Sequence, residues 1–410
     1  MKRIIVVGAG ASGLMSAFYA KNENTSVTIL EALEKPGRKL LATGNGRCNL
    51  TYASGKPLIS YRGGHPQFPD DVLSAFSQKD TRQFFEEHGM LMHEKNQGIY
   101  PYTDQAQTVL GLLMDAVQEK GVKIKTRERV TKILKKKEKE GQSFLVVTEG
   151  WKYEADAVIL ACGSKAAVSL GATDDGYLLA KDLGHRITPL FPALVPLKTK
   201  ETRFHALSGL RSTAKVMLML DGKKAAESFG ELQWTSYGIS GIVVFQVSRF
   251  AAEGLYLGKQ VQAVVNLLSD QDIPMISRIL GNQKKRADRI FLGLFPQKIA
   301  SLLLELSGYR PSDILMEEQI YRVLDMACHL TMHVTGTRSF EYAQVCAGGV
   351  DTSEIDSRTL ESRKVSGIYF AGELLDVDGA CGGYNLQWAW SSGFVAGTHA
   401  AEQEMGKQEE

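Results

Sequence analysis

The amino-acid sequence predicts an α/β protein in which a Rossmann-like domain, built from both ends of the chain, is interrupted by an inserted segment. Three observations predict this fold class: a strand–turn–helix–strand pattern at the start, a second strand-to-helix transition near residue 372, and a β-rich composition between about Gly184 and Thr335. The 410 residues also exceed the roughly 250 to 300 at which a single hydrophobic core stops growing. We therefore expect two structural units.

The first element is a βαβ unit. Residues 3–8, RIIVVG, are apolar and β-branched, as in a strand buried on both faces of a parallel sheet, and residues 26–31, SVTILE, form the second strand. Apolar residues from Leu14 to Ala20 give the intervening helix a buried face. The N-terminal segment also resembles a signal peptide, because basic residues precede an apolar stretch and small residues lie near Ala20. The glycine spacing favours the βαβ interpretation.

The glycines between these strands predict a dinucleotide site. Gly8, Gly10 and Gly13 form G-x-G-x-x-G, in which the first permits a tight turn, the second lets a pyrophosphate approach the backbone and the third lets helix and strand pack closely. The phosphate is expected at the helix N-terminus. Glu31 ends the second strand, where an acid accepts hydrogen bonds from a ribose diol and disfavours a 2′-phosphate. The predicted ligand is therefore FAD or NAD rather than NADP.

A basic, glycine-rich segment follows at residues 37–51, GRKLLATGNGRCNLT. Because the chain must pass along the same dinucleotide here, we expect the cations to meet phosphate or flavin polar edges and the glycines to let the backbone come close. The cations are Arg38, Lys39 and Arg47, and the glycines are Gly44 and Gly46. A solvated basic loop is the alternative. Cys48 faces the flavin or is a buried small hydrophobe, and the lack of a visible activating partner favours burial.

The C-terminal transition distinguishes FAD from NAD. The apolar strand GIYFAG ends at Gly372, Glu373 follows, and after a glycine-rich loop YNLQWAWSSGFVAG has the pattern of a helix. An acid at the strand end can hold a ribityl hydroxyl, and backbone N–H groups near Asn385 and Leu386 can face an electron-rich flavin edge. NAD has no comparable need, so the sequence favours FAD.

Composition excludes several other functions. A formal net charge of +2 implies no whole-surface attraction to nucleic acid or anionic membrane, and no apolar run approaches the roughly 18 residues of a membrane-spanning helix. The five cysteines are odd in number and include no CxxC pair, which argues against a disulfide framework and a zinc site. They also include no CxxxxC pair, which argues against a dithiol relay at the flavin. The lysine run at 135–139 is interpreted as a solvated hairpin end. We expect a soluble cytoplasmic protein with a small-molecule substrate and no nucleic-acid or membrane partner.

Several ordered motifs support one resemblance. Besides the glycine fingerprint and segment 37–51, they are VILACGS at 158–164, FPALVPL at 191–197, YGISG at 237–241, AGGV at 347–350 and YFAGELLDVDGACGGYNLQWAWSSG at the C-terminal transition. On these motifs the chain resembles the bacterial FAD-dependent flavoproteins of the BaiN-like, HI0933-like group, which also contains aminoacetone oxidase, within the two-dinucleotide-fold superfamily. The resemblance covers nearly the entire chain.

The patterns and the resemblance together predict the cofactor-binding residues. The resemblance adds contacts to the dinucleotide from VILACGS and a backbone contact to adenine from Val130. The full predicted set is Gly8, Gly10, Ala11, Ser12, Gly13, Glu31, Arg38, Lys39, Gly44, Gly46, Arg47, Cys48, Asn49, Val130, Ala161, Gly163, Gly372, Glu373, Asn385 and Leu386. No catalytic acid or base and no metal ligand is predicted, since the flavin carries the chemistry.

The resemblance also implies how the domains are divided. Residues 1–184 and 336–410 are expected to form the FAD-binding domain, and residues 185–335 an inserted substrate-side domain with a small β-barrel and helices. Substrate is expected at the seam, because ligand sites favour domain interfaces. The middle of the chain has no second G-x-G-x-x-G unit to hold NAD(P)H. If NAD(P)H is the donor, we therefore expect it to bind transiently.

Three functions remain open at the level of sequence. The resemblance favours an FAD-dependent reductase that transfers a hydride through flavin N5 from NAD(P)H to the C=C bond of a dehydro-bile-acid-like enone. An amine oxidase that acts on aminoacetone-like amines, with oxygen as the acceptor, is the alternative within enzymes. A flavin-binding or sensing protein, or an RNA-modifying flavoprotein, is the rival of another class, and the near-neutral charge argues against RNA.

Six further residues carry weaker signals. His329 and His333 could share a metal if CHLTMH were helical, but apolar neighbours and the lack of an H-E-x-x-H frame favour packing or capping. Trp388 and Trp390 are expected in the core. Tyr237 and Tyr384, each beside a motif glycine, line a ligand cavity or simply pack.

Overall fold

The computed structural model describes residues 1–53, 60–138, 141–269 and 271–402. The chain divides into two compact units, one of Met1–Phe191 with Gln344–Glu410 and one of Pro192–Ala343. The strands are β1 (Lys2–Val7), β2 (Thr25–Glu31), β3 (Thr51–Tyr52), β4 (Tyr61–Arg62), β5 (Met92–Lys95), β6 (Gly98–Pro101), β7 (Lys123–Thr126), β8 (Val130–Glu138), β9 (Gly141–Thr148), β10 (Lys152–Ala155), β11 (Ala157–Leu160), β12 (Phe191–Ala193), β13 (Leu197–Thr199), β14 (Arg211–Leu220), β15 (Lys223–Thr235), β16 (Gly238–Ser240), β17 (Val261–Asn266), β18 (Leu330–Thr337), β19 (Val345–Ala347), β20 (Ile368–Phe370) and β21 (Asp378–Gly379).

The α-helices are likewise numbered in chain order. They are α1 (Ala11–Ala20), α2 (Arg38–Ala42), α3 (Phe68–Ala75), α4 (Gln78–Glu87), α5 (Ala106–Glu119), α6 (Asp175–Asp182), α7 (Thr202–His205), α8 (Ile242–Tyr256), α9 (Ile273–Gly281), α10 (Ala287–Ile290), α11 (Gln297–Leu306), α12 (Glu317–Cys328), α13 (Ser339–Tyr342) and α14 (Tyr384–Ala401). Short 3₁₀ turns cover Thr43–Gly46, Val168–Leu170, Thr352–Glu354 and Gly372–Leu374.

The first unit is built on a parallel sheet with the strand order β20-β11-β1-β2-β7. β1 pairs with β2 on one side and β11 on the other, and β11 pairs with β20, all in parallel. Ile4, Val6, Ile29, Leu160 and Phe370 are fully buried, as β-branched and aromatic runs in a doubly covered sheet should be. The predicted α/β class and Rossmann-like arrangement are confirmed.

Helices α1 and α14 pack so closely that only glycine fits at two positions of α14. A Cβ at Gly393 would lie 2.7 Å from the carbonyl oxygen of Ser12, and one at Gly397 would lie 2.3 Å from that of Ser16. Both are backbone clashes that no side-chain rotation relieves. Trp388 and Trp390, on the same helix, are buried as expected. The N-terminal and C-terminal parts of the chain are thereby joined into one core.

An antiparallel sheet, β10-β9-β8, belongs to the same unit. Its β8–β9 pairing extends to Glu138 opposite Gly141, which gives the hairpin predicted around the lysine run. Lys135 is exposed and Lys136 forms an ion pair with Glu154, whereas Lys139 lies outside the described residues.

The second unit contains a closed barrel with the strand order β13-β16-β15-β14-β17-β18. Its core includes Val216, Trp234, Val265 and Met332, all fully buried. Helix α8 packs its buried face, which includes Val247, against the barrel strands, and α9 to α12 add a helical layer with its own buried residues. Strands β14 and β17 of this barrel alternate buried and more exposed residues, as the period of two requires.

The helical spacing considered for His329 and His333 is wrong, because the helix ends before them. α12 ends at Cys328, β18 begins at Leu330, and His333 lies on that strand. The His329 ring bonds the carbonyl oxygen of Asp325 at 2.9 Å, and the His333 ring lies 2.6 Å from Glu201. The two imidazoles therefore have separate partners. In the part of the chain that the structure describes, no helix has both the length and the apolar character to cross a membrane.

Candidate functional site

Three neighbouring strands of the first unit end at the same edge of the parallel sheet. β1 leads into the glycine fingerprint, β11 into Ala161–Ser164 and β20 into Gly372 and Glu373. In open parallel sheets, ligands bind outside the carboxyl ends of the strands. The fold thus brings together predicted residues from the beginning, middle and end of the chain.

Each fingerprint glycine has a separate structural reason. Gly8 has φ +105°, and a Cβ there would lie 2.6 Å from the carbonyl oxygen of Ala161. A Cβ at Gly13 would lie 1.9 Å from the carbonyl oxygen of Gly8. At Gly10, by contrast, a Cβ would meet no atom within 4 Å. Gly8 and Gly13 are required by the fold, while Gly10 leaves open space at the start of α1, where the N–H groups of Ala11 and Ser12 have no intrahelical acceptor.

Glu31 is fixed by backbone groups at the end of β2. Its carboxylate accepts hydrogen bonds from the N–H of Ala9 at 2.7 Å and from the N–H of Leu33 at 2.8 Å. The N–H of Glu128 donates to the carbonyl oxygen of Glu31 at 2.9 Å, which ties the segment before Val130 to the same strand end. Val130, the first residue of β8, follows this hydrogen bond by two residues.

The basic segment 37–51 runs from the fingerprint to helix α14. At its start the N–H of Gly37 donates to the carbonyl oxygen of Ala9 at 3.0 Å. At its end the indole N–H of Trp390 donates to the carbonyl oxygen of Leu50 at 2.9 Å, and the Thr51 hydroxyl bonds Gln387 at 2.7 Å. The segment is thus anchored at both ends. Between the anchors, Gly44 and Gly46 are exposed and left-handed, with φ of +57° and +81°.

The three cations of this segment are placed differently. Lys39 forms an ion pair with Glu373, with Nζ 2.5 Å from Oε2. Arg38 is exposed and reaches the carbonyl oxygen of Ser169 at 3.4 Å. Arg47 is exposed as well, beside Gly44. Lys39 is the cation that the fold brings to the strand ends.

Glu373 joins three of the predicted motifs. Besides Lys39, its carboxylate accepts a hydrogen bond from the hydroxyl of Ser164 at 2.8 Å. Gly372 is held by α14, because its N–H donates to Ser392 and its carbonyl oxygen accepts from the Trp388 indole N–H. The sequence predicted the acid and the lysine separately, but it did not predict that they form a pair.

The start of α14 is shaped by Asn385. Its side-chain amide donates to the carbonyl oxygen of Gly379 at 2.9 Å and accepts from the N–H of the same residue at 2.8 Å. The side chain therefore clamps the preceding loop, which leaves the backbone N–H groups of Asn385 and Leu386 in the first helical turn for a ligand. A Cβ at Gly383, the residue before the helix, would lie 2.6 Å from the Thr51 backbone.

An aromatic cluster beside this helix start was not predicted. The Tyr384 ring stacks on the Tyr52 ring at 4.6 Å and meets the Tyr61 ring edge-on at 5.9 Å. The Tyr61 hydroxyl also donates to the carbonyl oxygen of Tyr384 at 2.8 Å. Burial raises the pKa of Tyr52 to about 12. Tyr384 therefore packs against two buried tyrosines, Tyr52 and Tyr61.

The thiol of Cys48 is inaccessible. The residue has no exposed surface, and burial raises the pKa of its thiol to about 12. Its backbone is left-handed, with φ +61°, and its N–H donates to the carbonyl oxygen of Thr43 at 3.0 Å. A cofactor in this fold would meet the neighbouring backbone rather than the Cys48 sulfur. Cys162 is likewise a neutral thiol, because burial raises its pKa to about 12.

The residues at this edge fit a bound FAD. Gly10 and Gly163 each leave open space where a Cβ would meet no atom within 4 Å. The side-chain oxygen of Asn49 is buried without a hydrogen-bond partner among the described residues, so it is available to a ligand donor. The Glu31 carboxylate uses two of its lone pairs and has others for a diol.

Comparisons with known proteins cover almost the whole chain. A family model described as HI0933-like protein Rossmann domain matches residues 2–399. The chain is 43% identical to the 3-dehydro-bile acid delta(4,6)-reductase of Clostridium scindens, over 98% of this chain and 100% of that protein. It is 31% identical to the ribosomal RNA dihydrouridine synthase of Haemophilus influenzae, over 97% of this chain and 98% of that protein.

Solved structures agree with the fold. The 3-ketosteroid delta1-dehydrogenase of Sterolibacterium denitrificans matches with a TM-score of 0.52 and 11% sequence identity, over 98% of this chain and 100% of that one. At this level of identity the likeness shows the fold alone.

Proposed function

Because the chain belongs to the HI0933-like protein Rossmann domain family, we propose that it reduces a carbon–carbon double bond conjugated to a carbonyl group in a steroid-like acid. The predicted class, an FAD-dependent oxidoreductase, is confirmed by the family and by the reductase relative. One observation carries the proposed substrate class: the 43% identity with a dehydro-bile-acid reductase extends over 98% of this chain. NAD(P)H is the proposed electron donor.

The geometry at the sheet edge supports FAD binding in a defined orientation. The open backbone at Gly10 and the start of α1 would receive the pyrophosphate, and Glu31 would accept the adenosine ribose hydroxyls. Lys39 and Glu373 would lie along the ribityl chain and the flavin ring, where a cation and an acid can bind its hydroxyl and carbonyl oxygens. The N-terminal turn of α14 would face the flavin edge that gains negative charge.

When bound, FAD supplies two-electron hydride chemistry, so the protein need only orient the substrate and stabilise charge. The reaction balances if one hydride and one proton add across the C=C bond while NAD(P)H is oxidised to NAD(P)⁺. Cys48, Cys162 and Cys346 have no nucleophilic role in this scheme, since burial raises the pKa of each thiol to about 12. A neutral, buried thiol is a poor nucleophile.

A second candidate is supported by a specific observation. The Haemophilus influenzae relative, at 31% identity, is a ribosomal RNA dihydrouridine synthase. Reduction of a uracil ring to dihydrouracil also saturates a C=C bond conjugated to a carbonyl, so the same site chemistry would serve. The lower identity and the formal net charge of only +2 place this candidate second.

The test follows the absorbance of the bound flavin. The purified protein is first checked for a flavin spectrum and is then mixed anaerobically with NADH, NADPH or aminoacetone in separate experiments. We expect one of the nicotinamides to bleach the flavin and a 3-oxo-4,6-diene steroid acid to restore it. Bleaching by aminoacetone alone, with peroxide formed when air is admitted, would contradict the reductase proposal. Restoration by uridine-containing ribosomal RNA but not by the steroid would favour the second candidate.

A further inference from the structure

Ser164 makes a buried side-chain contact with Glu373. Ser164 lies in the segment after β11, and Glu373 lies in the 3₁₀ turn after β20, the strand that pairs with β11. The Ser164 hydroxyl donates a hydrogen bond to Oε2 of Glu373 at 2.8 Å. Because only 3% of the Ser164 surface is exposed, solvent screens this hydrogen bond weakly.

A second hydrogen bond fixes the direction of the first. The Ser164 hydroxyl oxygen accepts a hydrogen bond from the N–H of Ala166 at 3.3 Å. A hydroxyl has one hydrogen to donate, and an ionised carboxylate such as that of Glu373, which is paired with Lys39, can only accept. The hydroxyl hydrogen is therefore directed to Glu373, and the hydrogen bond is charge-assisted.

Ser164 and Lys39 contact the same oxygen of the carboxylate. Nζ of Lys39 lies 2.5 Å from Oε2, which also accepts the hydrogen bond from Ser164. Among the described residues, Oε1 accepts no hydrogen bond, yet it is not one of the buried side-chain atoms without a partner. The Glu373 side chain is 16% exposed. The protein thus holds the carboxylate through one oxygen and leaves the other accessible to a ligand.

The backbone places this carboxylate beside the first turn of α1. Gly372, which precedes Glu373, has φ +73°, and a Cβ there would lie 2.4 Å from the hydroxyl oxygen of Ser12. Ser12 is the second residue of α1, in the turn proposed for the pyrophosphate. In FAD the ribityl chain joins the pyrophosphate to the flavin ring, so it is the part of the cofactor that would pass next to Glu373.

We propose that Ser164 is a positioning residue for FAD: together with Lys39 it orients Glu373, so that Oε1 accepts a hydrogen bond from a hydroxyl of the ribityl chain. The inference rests on the proposed function only for the FAD site at the strand ends, and the identity of the substrate does not enter it. Ser164 acts through Glu373 rather than on the flavin. Because the carboxylate is oriented before FAD arrives, less conformational freedom is lost on binding, which favours flavins that keep this hydroxyl.

The experiment measures the dissociation constant of FAD for the full-length protein, from the fluorescence of free FAD after the bound flavin has been removed. Ser164→Ala should raise that constant about 10-fold, because a hydrogen bond to a charged group is lost. Ser248→Ala, in the second unit, is the matched control. Ser248 is also buried, donates to the carbonyl oxygen of Phe245 at 2.8 Å and accepts from the N–H of Val195 at 3.2 Å. Its substitution should lower the melting temperature about as much as Ser164→Ala does and leave FAD binding unchanged.

A double-mutant cycle tests whether Ser164 acts through Glu373. In a Glu373→Ala background the carboxylate is gone, so Ser164→Ala should have no further effect on the dissociation constant of FAD. A further loss of similar size in that background would overturn the positioning role, because Ser164 would then act without the acid. Equal dissociation constants for Ser164→Ala and the unmodified protein would overturn it as well.

Cofactor analogues test the ribityl contact in the unmodified protein, where misfolding of a variant plays no part. FAD analogues that each lack one ribityl hydroxyl are titrated in turn, and one of them should bind about 10-fold more weakly than FAD. Ser164→Ala and Lys39→Met should both reduce this preference. Equal binding of FAD and of every analogue to the unmodified protein would contradict the inference.

These measurements need no turnover, so they are separate from the proposed function. A Ser164-dependent preference for intact FAD without any reduction of the steroid double bond would support this inference and contradict the proposed reaction. Reduction of the steroid by a protein whose FAD binding does not depend on Ser164 would do the reverse.

Discussion

Glu31 ends strand β2 and Glu373 follows strand β20 of the same parallel sheet, but the structure holds the two acids differently. Glu31 accepts hydrogen bonds from backbone N–H groups within 22 residues of it in the chain. Glu373 is held by side chains, Lys39 and Ser164, that lie 334 and 209 positions away. The first acid is oriented by the local backbone fold, whereas the second depends on long-range side-chain partners. This difference predicts how strongly each region responds to mutation.

The largest effect is expected for a substitution between β1 and β2 at a glycine whose position leaves no room for a Cβ. Gly13→Ala would place a Cβ 1.9 Å from the carbonyl oxygen of Gly8, so the fingerprint must distort. We expect a loss of about 3 kcal/mol or more in the free energy of unfolding and a protein isolated without FAD. Gly10→Ala is the matched control, because its Cβ meets no atom within 4 Å. It should preserve stability while lowering FAD occupancy, and equal urea midpoints for the two variants would refute this account.

A smaller effect is expected for substitution of Glu31, the acid held by backbone N–H groups. Glu31→Ala leaves the N–H groups of Ala9 and Leu33 without their acceptor, at a cost of about 2 kcal/mol or more in unfolding free energy. The variant should also lose FAD during dialysis, because the ribose acceptor is removed. Glu31→Gln keeps one acceptor oxygen, so its unfolding free energy should lie between those of Glu31→Ala and the unmodified protein. Unchanged FAD occupancy in Glu31→Ala would show that the ribose contact is misplaced.

Substitutions at Glu373, the acid held by side chains, and at its partner Lys39 should have smaller effects than Glu31→Ala. The Lys39 and Glu373 side chains are 32% and 16% exposed, so solvent screens their ion pair. Lys39→Met and Glu373→Gln should each change the unfolding free energy by about 1 kcal/mol, and a double-mutant cycle should give a coupling of similar size. Both should weaken FAD retention less than Glu31→Ala does. A coupling near zero would mean that the pair does not exist in solution.

The smallest effect is expected at Cys48. Because burial raises the pKa of its thiol to about 12, the folded protein keeps the proton at pH values where the unfolded chain loses it. The resulting stability is present below about pH 8.5 and declines as the pH rises from there toward 12. Cys48→Ala should leave turnover unchanged and should flatten this alkaline decline in urea titrations at pH 8 and pH 10. Rapid alkylation of Cys48 in the native protein at pH 8 would contradict its burial.

The same comparison explains which features could be predicted from sequence. The unit β1–α1–β2, the strands β11 and β20 and the helix α14 were predicted because periodicity and glycine spacing are local signals. Glu31 was recognisable for the same reason. The closed barrel order could not be derived from the residues, since pairing such as β13 with β18 joins segments more than a hundred residues apart.

Long-range side-chain contacts account for what was missed. The Lys39–Glu373 pair and the Tyr52–Tyr384 stack depend on residues far apart in sequence, and no local pattern announces them. Asn385 was predicted to bind the cofactor through its backbone N–H. The hydrogen bond from its side chain to the carbonyl oxygen of Gly379 could not be predicted from the sequence. The helical spacing that was weighed for His329 and His333 does not occur, because the barrel includes Leu330–Thr337 as a strand.

The central claim, that FAD bound at the strand ends delivers a hydride to a conjugated double bond, is tested most directly by a single turnover. The protein is reduced anaerobically with one equivalent of the active nicotinamide and is then mixed with a 3-oxo-4,6-diene steroid acid. We expect reoxidation of one flavin for each double bond saturated, with the reduced steroid identified by mass spectrometry. A flavin that stays reduced with the steroid and with ribosomal RNA, and reoxidises only when oxygen is admitted, would contradict it.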